Sequence, residues 1–395
     1  MLQGGFVSNL GDVLYSLAIG YYVYQRTGSG AALGIFTSIT LFAEMLLSPV
    51  AGAIVCHINR KRTLVFMDAV RGGIMLLIGG LCLGEILSIN TLFGSAVLIA
   101  LAGVLFGPCS DTILMDVVPA QELLRAKSLE SSLQSIVTLI GKAISGFALV
   151  FFGVGWLIIC NGVSFLCSAI TECFITLPYL ASEKSSNDSA AILQDLKQGA
   201  ITVKSQPGLN VLFFSLLFIN LAASGALSLL LVFTQQQGYS VEQYGLLASA
   251  LSIGGVIGAS LIAASKIAAR RRGPVALLSL LLSASLFAAA FLVRQFSASF
   301  LLFCAAAFFN IISNVIMNST MMLALPEQQR STIIGIITAS SAGGSALSSL
   351  LYGFLVEWFP LSYVGAVGML VSLLAMLPML RSKSAMAVLS AHYTP

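Results

Sequence analysis

The sequence predicts an all-α membrane protein with twelve transmembrane helices arranged as two six-helix bundles. Three observations predict it. Of the 395 residues, 58% are hydrophobic and only 9% are charged, with a mean hydropathy of +0.98, whereas soluble domains carry roughly 25% charge. Apolar runs of about 20 residues, enough to cross a bilayer core as helix, recur along the chain. The breaks between them hold the charge. The stretch Gly52 to Arg62, Gly-Ala-Ile-Val-Cys-His-Ile-Asn-Arg-Lys-Arg, sets three adjacent cations between two apolar runs, and such a segment cannot lie in hydrocarbon.

Composition also excludes several classes. The net charge of +4 sits at the ends of spans, where it orients a membrane protein and gives no nucleic-acid surface. The seven cysteines fall mostly inside apolar runs without metal-like pairing, so they read as small buried hydrophobes, and no metal or cofactor is expected. No basic region or cleavage site opens the chain, so no signal peptide is expected. An intramembrane enzyme would need a nucleophile with a base or paired metal ligands, yet the two histidines, His57 and His392, fall in a loop and in the tail. No Gly-x-x-x-x-Gly-Lys-Ser/Thr phosphate loop appears.

Taken in order, the expected helices cover roughly 2–24, 32–56, 62–84, 91–117, 124–152 and 155–179, then roughly 208–236, 242–267, 274–293, 298–324, 331–356 and 361–380. If they alternate across a membrane, fifteen of the 19 Lys and Arg fall on one side: Arg60, Lys61, Arg62, Arg125, Lys127, Lys184, Lys197, Lys204, Lys266, Arg270, Arg271, Arg272, Arg330, Arg381 and Lys383. Arg26 and Arg294 lie opposite, and Arg71 and Lys142 fall within spans. Both termini are therefore expected in the cytoplasm.

Between the bundles, 1–180 and 208–395, lies the one long polar stretch, 181–207. Its Ser-Glu-Lys-Ser-Ser-Asn-Asp run reads as a linker, and Ile192, Leu193, Leu196 and Ala200 at helical spacing read as a short amphipathic helix on the membrane surface. The halves match each other. Gly52 with its basic loop corresponds to Gly258 with Lys266 to Arg272 at an offset of 206 residues, and Pro119 to Arg125 corresponds to Pro326 to Arg330 at 207. Near-equal offsets imply two parallel six-helix repeats with a substrate site between them near the midplane.

These residues resemble the major facilitator superfamily. Gly52-Ala53 through Arg60-Lys61-Arg62 sits where that family carries Gly-x-x-x-Asp-Arg-x-x-Arg-Arg between its second and third helices, although Cys56 stands at the aspartate and His57 at the arginine. The resemblance implies that this aspartate latches the outward-open state. Here Asp116, Asp111 or Glu122 is expected to pair with Arg60 or Arg62 instead, and Asp68 to bind the loop cations. More narrowly, Ser8 to Asp12, Thr27 to Ser29 with Ala32 to Gly34, Asp68 to Gly72, Val118-Pro119 with Glu122 to Ala126, and Gly141 to Gly146 look like the branch of macrolide-efflux proteins, the enterobactin exporter and lysophospholipid transporters. That branch implies a proton-coupled exporter of amphipathic small molecules, a drug or a siderophore, in a bacterial inner membrane. A lysophospholipid flippase and a non-transporting relative are the alternatives. The expected partners are the substrate, protons and the bilayer, and the expected state is a monomer. Gly141-Lys142 replaces the Gly-Pro usual in the fifth helix of the antiporters.

An ionisable side chain near the bilayer centre costs about 2.5–3.5 kcal/mol on insertion scales, so it is normally paired or lines a water-filled path. Asp12, Glu44, Arg71, Lys142 and Glu172, all in the first half, are in that position. Asp12 and Glu44 are the proton-coupling candidates, with a fixed ion pair as the alternative. Arg71 and Lys142 are the cavity charges, and Glu172 reads as structural. In the second half Asn310, Asn314 and Asn318 recur at i, i+4 and i+8. Such a stripe reads as interhelical hydrogen bonding, or as Asn310 and Asn314 lining a substrate path. Gly254-Gly255 and Gly343-Gly344 read as close-packing points within spans.

Overall fold

The computed structural model describes residues 2–55, 58–117, 123–174, 197, 201–265, 267–324 and 330–389. Helix accounts for nearly all of them. The helices are α1 (Leu2–Thr27), α2 (Gly30–Val55), α3 (Arg60–Leu83), α4 (Ile89–Val117), α5 (Leu123–Cys173), α6 (Pro207–Ser228), α7 (Leu230–Gln236), α8 (Val241–Ala264), α9 (Ala269–Leu292), α10 (Phe296–Ala324), α11 (Arg330–Val356), α12 (Leu361–Leu374), α13 (Leu377–Arg381) and α14 (Lys383–Leu389). Nine stretches among the described residues are long and apolar enough to cross a bilayer. Leu77, Leu301 and Leu374 are 63%, 66% and 63% exposed on outward faces, where lipid would cover them. The chain is an all-α, multi-pass membrane protein.

Local chemistry sets the boundaries. Asn59 caps α3 by accepting from the Arg62 N–H at 3.1 Å, so the cationic loop passes directly into helix. A capping box of Ser240 and Gln243 opens α8. The two spans expected between 124 and 179 form one long α5 that breaks at Gly153, whose φ of 74° and ψ of 168° suit only glycine. The span expected over 208–236 divides after Ser228. There the Ala222 carbonyl accepts from the Tyr352 hydroxyl and the Gly225 N–H donates to Ser348 Oγ, so α11 side chains satisfy backbone groups near the end of α6. The expected surface helix lies outside the described residues at 192, 193, 196 and 200. Residues 201–205 are helical, and Val203 packs with Leu209 and Ile333.

Contacts divide the chain into two units, Met1–Gly28 with Ile39–Ser189 and Ser29–Ser38 with Ala190–Pro395. In the first, α1 packs on the first part of α5, where Gly141 meets Leu10 and Val13, and α3 packs on α4 and on the second part of α5, where Gly72 and Gly79 meet Leu166 and Ile159. In the second, α6 packs on α11, and α9 packs on α10 and α12. The same helix-pairing scheme thus occurs in both units, as expected of repeats. Phe233, Phe291 and Phe303 anchor the second unit, all fully buried and in edge-to-face contact at 5.2–6.0 Å.

Glycine allows the closest approach, between α8 and α10. A Cβ at Gly254 would run into the Cys304 carbonyl oxygen, and one at Gly258 would meet the Phe308 carbonyl at 2.6 Å. Gly254→Val is predicted to destabilise the protein by about 1–3 kcal/mol through overpacking against backbone, whereas Gly255→Ala, with open space around it, should leave thermal unfolding in detergent unchanged.

The first turns of α2 belong to the second unit. Glu357 Oε1 accepts from Ser29 Oγ at 2.6 Å and from the Ala31 N–H at 3.0 Å, placing a carboxylate at the positive end of α2. The Ser29 hydroxyl and the α2 amides hold this carboxyl below the usual glutamate range. A depressed folded-state value means that the contribution is present above the ordinary glutamate range and fades as pH falls through the lower, folded value. Glu357→Ala should therefore lower the melting temperature at neutral pH, by no more than about 1 kcal/mol for so exposed a group. The wild-type and variant curves should converge in acid.

Candidate functional site

The buried charges of the first unit meet where α1, α3 and the second part of α5 pack. Asn161, then Ser164 and its neighbour Phe165, then Ser168 and Glu172 follow one another about a turn apart, so they share one face of α5, and all five are buried. Opposite them, α1 presents Asp12 and α3 presents Asp68 and Arg71. Gly11 makes room for the upper part of this face, since a Cβ there would collide with the Asn161 side-chain oxygen. Asn161 Nδ2 donates to Asp12 Oδ1 at 3.1 Å, and the Ser164 hydroxyl donates to the Asn161 carbonyl at 2.7 Å.

Arg71 ties the group together. Its NH1 lies 3.3 Å from Asp68 Oδ1, one turn back on the same helix. Its guanidinium carbon sits 4.2 Å from the Phe165 ring centroid and 5.2 Å from that of Phe106 on α4. Cation–π contacts of this kind contribute about 0.5–2 kcal/mol each when desolvated. They hold the cation in place where water does not. Its charge also acts on Asp12 and Glu172. Three carboxyl groups and one guanidinium therefore share an apolar interior. Asp68 Oδ2, Arg71 Nε and Glu172 Oε2 are buried there without a hydrogen-bond partner among the described residues.

The expected site residues sort themselves against this frame. Asp12 and Arg71 come together as charges inside the bundle. Asp68, expected to bind the loop cations, is fully buried and pairs with Arg71, because its side chain shares the inward face of α3. Arg60 and Arg62 open α3, with Arg62 exposed. Lys142 is half-buried beside Gly141, at the level of Leu10 and Val13, and no ion pair reaches it among the described residues. Asn314 Nδ2 donates to Asn310 Oδ1 at 2.8 Å, so this pair bonds within α10 instead of bridging to another helix. Asn314 and Asn318 are exposed. Glu44 and Gly52 fall in α2 and Asp116 in α4, but their side-chain surroundings lie outside the described residues, as do Cys56, His57 and Glu122.

The Major Facilitator Superfamily model matches residues 1–349. The chain belongs to the major facilitator superfamily. Superfamily membership points to transport rather than to enzymatic chemistry. Among curated proteins it is similar to the uncharacterized MFS-type transporter YfiS of Bacillus subtilis (strain 168), 23% identical over 215 residues; the match spans 52% of this chain and about half, 49%, of that relative's length. Among solved structures it resembles the nucleoside transporter NupG, with a TM-score of 0.72 at 14% identity over 97% of this chain and 98% of that one. It also resembles a bacterial homologue of the human lysosomal transporter Spinster in an inward-facing, occupied conformation, with a TM-score of 0.68 at 14% identity over 98% and 94%. A D-xylose–proton symporter gives a TM-score of 0.67 at 15% identity over 95% and 96%. At such identities these likenesses establish the superfamily fold.

Within that fold, sequence reasoning overlooked Asn161, Ser164, Phe165 and Ser168. The signal was present as small polar residues at helical steps leading to Glu172 in an otherwise apolar run, but each alone looks like an ordinary packing residue. Arg71→Leu should leave Asp68 as an uncompensated buried charge and cost about 3–5 kcal/mol, read as a large loss of thermal stability in detergent. Arg71→Lys should recover part of it.

Proposed function

We propose that this superfamily member is a proton-coupled exporter of amphipathic small molecules, a drug or a siderophore, that alternates access between its two six-helix halves. It works as a monomer in the inner membrane of a bacterium, with both termini in the cytoplasm, the side to which the cation distribution assigns them. The observation that carries the reading is the group of half-buried Asp12 and Arg71 with fully buried Asn161, inside a bundle of this superfamily's fold. An ionisable carboxyl group kept within an apolar interior, with an amide and a cation to hold it, has the chemistry of a side chain that binds and releases a proton during transport. Glu44 on α2 is the second candidate for that role.

The remaining polar groups take the substrate's side. Lys142 is the cavity cation that draws the anionic part of an amphipathic molecule. The exposed face of α10 carrying Asn310 and Asn314 lines the substrate path in the second half, since amide groups turned to lipid would lack partners. Gly52, Arg60, Arg62 and Asp116 form the gate at the cytoplasmic end, with Asp68 linking it through Arg71 to the interior.

A lysophospholipid flippase is the second reading. An apolar groove of about 350 Å³ between α6 and α12, lined by Phe218, Leu221, Ala222, Val371, Leu374 and Ala375, has the composition to hold an acyl chain.

Inverted membrane vesicles with an imposed pH gradient decide between these readings. A panel of drugs and catecholate siderophores should include a compound that dissipates the gradient with the wild type, more weakly with Lys142→Ala and not with Asp12→Asn. If the wild type and both variants are equally silent while labelled lysophospholipid crosses the membrane, the exporter reading fails and the flippase takes its place.

A further inference from the structure

Glu172 has no role in the exporter reading, yet its surroundings are those of a working group. It is 4% exposed, and of its two carboxyl oxygens only Oε1 has a partner, the Ser168 hydroxyl at 3.3 Å one turn away. Oε2 is buried without one among the described residues. Asp68, fully buried on α3, lies level with Ser168, since Gly72 one turn on packs against Leu166 and Lys61 two turns back donates to the Cys173 carbonyl, and it has an unpartnered oxygen of its own, Oδ2, among the described residues. Ser168 gives its one hydrogen to Glu172 Oε1 and Arg71 NH1 takes Asp68 Oδ1, so two buried carboxyl groups from different helices each keep an oxygen that no donor reaches among the described residues. Ionised carboxylates only accept. A proton on one carboxyl supplies a donor, as in paired carboxylates that cannot both ionise.

The charges around the pair do not remove this need. On α3, Arg71 makes its one ion pair with Asp68, and Lys61 donates to the Cys173 carbonyl beside Glu172. From α1 comes Asp12, held by Asn161. The α4 helix contributes the Phe106 ring and, among its described side chains, no charge. Glu172 lies eleven residues beyond Asn161 on α5, about 16 Å along the helix axis, and toward the end that carries Arg60 to Arg62.

We propose that Asp68 and Glu172, with Ser168 between them, form a second proton-binding station, set between Asp12 and the cationic end of the first unit. It rests on the proton-coupled reading and extends that reading's proton path by one site. On release, the O–H bond of the shared carboxyl breaks and the proton passes to water. The new carboxylate is met by Arg71, whose Nε–H is a buried donor with no partner among the described residues. Uptake reverses the step.

Infrared difference spectroscopy of the purified full-length protein in detergent reads the station without any substrate. At neutral pH, the wild-type-minus-Glu172→Gln difference should contain a protonated-carboxyl stretch, and the wild-type-minus-Asp68→Asn difference should contain the same band. That band should survive in Asp12→Asn. Glu172→Gln preserves shape and decides alone if Asp68→Asn does not fold. A Glu172→Gln difference with no protonated-carboxyl band, or a band that disappears only in Asp12→Asn, overturns the station. The vesicle assay is scored separately. Gradient dissipation together with a missing band sinks the station and leaves the exporter reading standing, whereas a band of the expected pattern in a protein that moves no protons upholds the station and sinks the exporter reading.

Discussion

Everything in the first unit depends on keeping one guanidinium and three carboxyl groups out of water. Removing an ion from water to a protein interior costs several kcal/mol even after relaxation, so Asp12, Asp68, Arg71 and Glu172 can be retained only if the helices bring partners to them. The backbone does much of that positioning. Gly11 lets Asn161 close on Asp12, and Gly72 lets α3 approach Leu166 near the polar face of α5. The Phe165 and Phe106 rings hold Arg71 without offering a second negative charge. Its Nε and one oxygen each on Asp68 and Glu172 have no partner among the described residues. Fully satisfied networks are rigid, and partly satisfied ones can rearrange at low cost.

The second unit solves a different problem. Its interior polar groups are neutral hydroxyls and amides tied to nearby groups, as when the Tyr352 hydroxyl donates to the Ala222 carbonyl, the Gly225 N–H donates to Ser348 Oγ, and the Ser228 and Ser349 hydroxyls share a hydrogen bond. Its aromatic cluster of Phe233, Phe291 and Phe303 is rigid and dry. Nothing described in its interior gains or loses charge. The two units share a helix-pairing scheme and differ in the chemistry of their interiors.

Much of this fold was legible in the sequence because the bilayer leaves the chain few options. A run of about 20 apolar residues must be helix, and the expected end at 356 falls on the observed one. The break between 152 and 155 was visible as Gly153 in a short small-residue gap. The division after Ser228 was not, since the nearby bonds that Tyr352 and Ser348 make to backbone of this helix come from more than 120 residues away. The site divides the same way. Charged residues stand out against an apolar background, so Asp12, Arg71, Lys142 and Glu172 could be found singly. Their grouping could not, because which face of α3 turns inward is set by packing on α5. That is why Asp68 was assigned to the loop cations and lies with Arg71 instead.

The placement of Arg71 has a consequence for how the two ends of the first unit communicate. Asp68 sits two turns into α3 from the Arg60 to Arg62 segment, and Arg71 one turn further in, so a single helix carries the loop cations, the buried carboxylate and its counter-ion in line. The same guanidinium acts on Asp12 from the other side. Any change of charge on Asp12 alters the balance of attraction on Arg71, and any movement of Arg71 alters the compensation of Asp68 and Glu172. Because these groups compete for one cation in a low-dielectric interior, their states are coupled through electrostatics alone. Under the proposed proton-coupled reading, a change of partner at Arg71 is sufficient to link the middle of the unit to its cationic end.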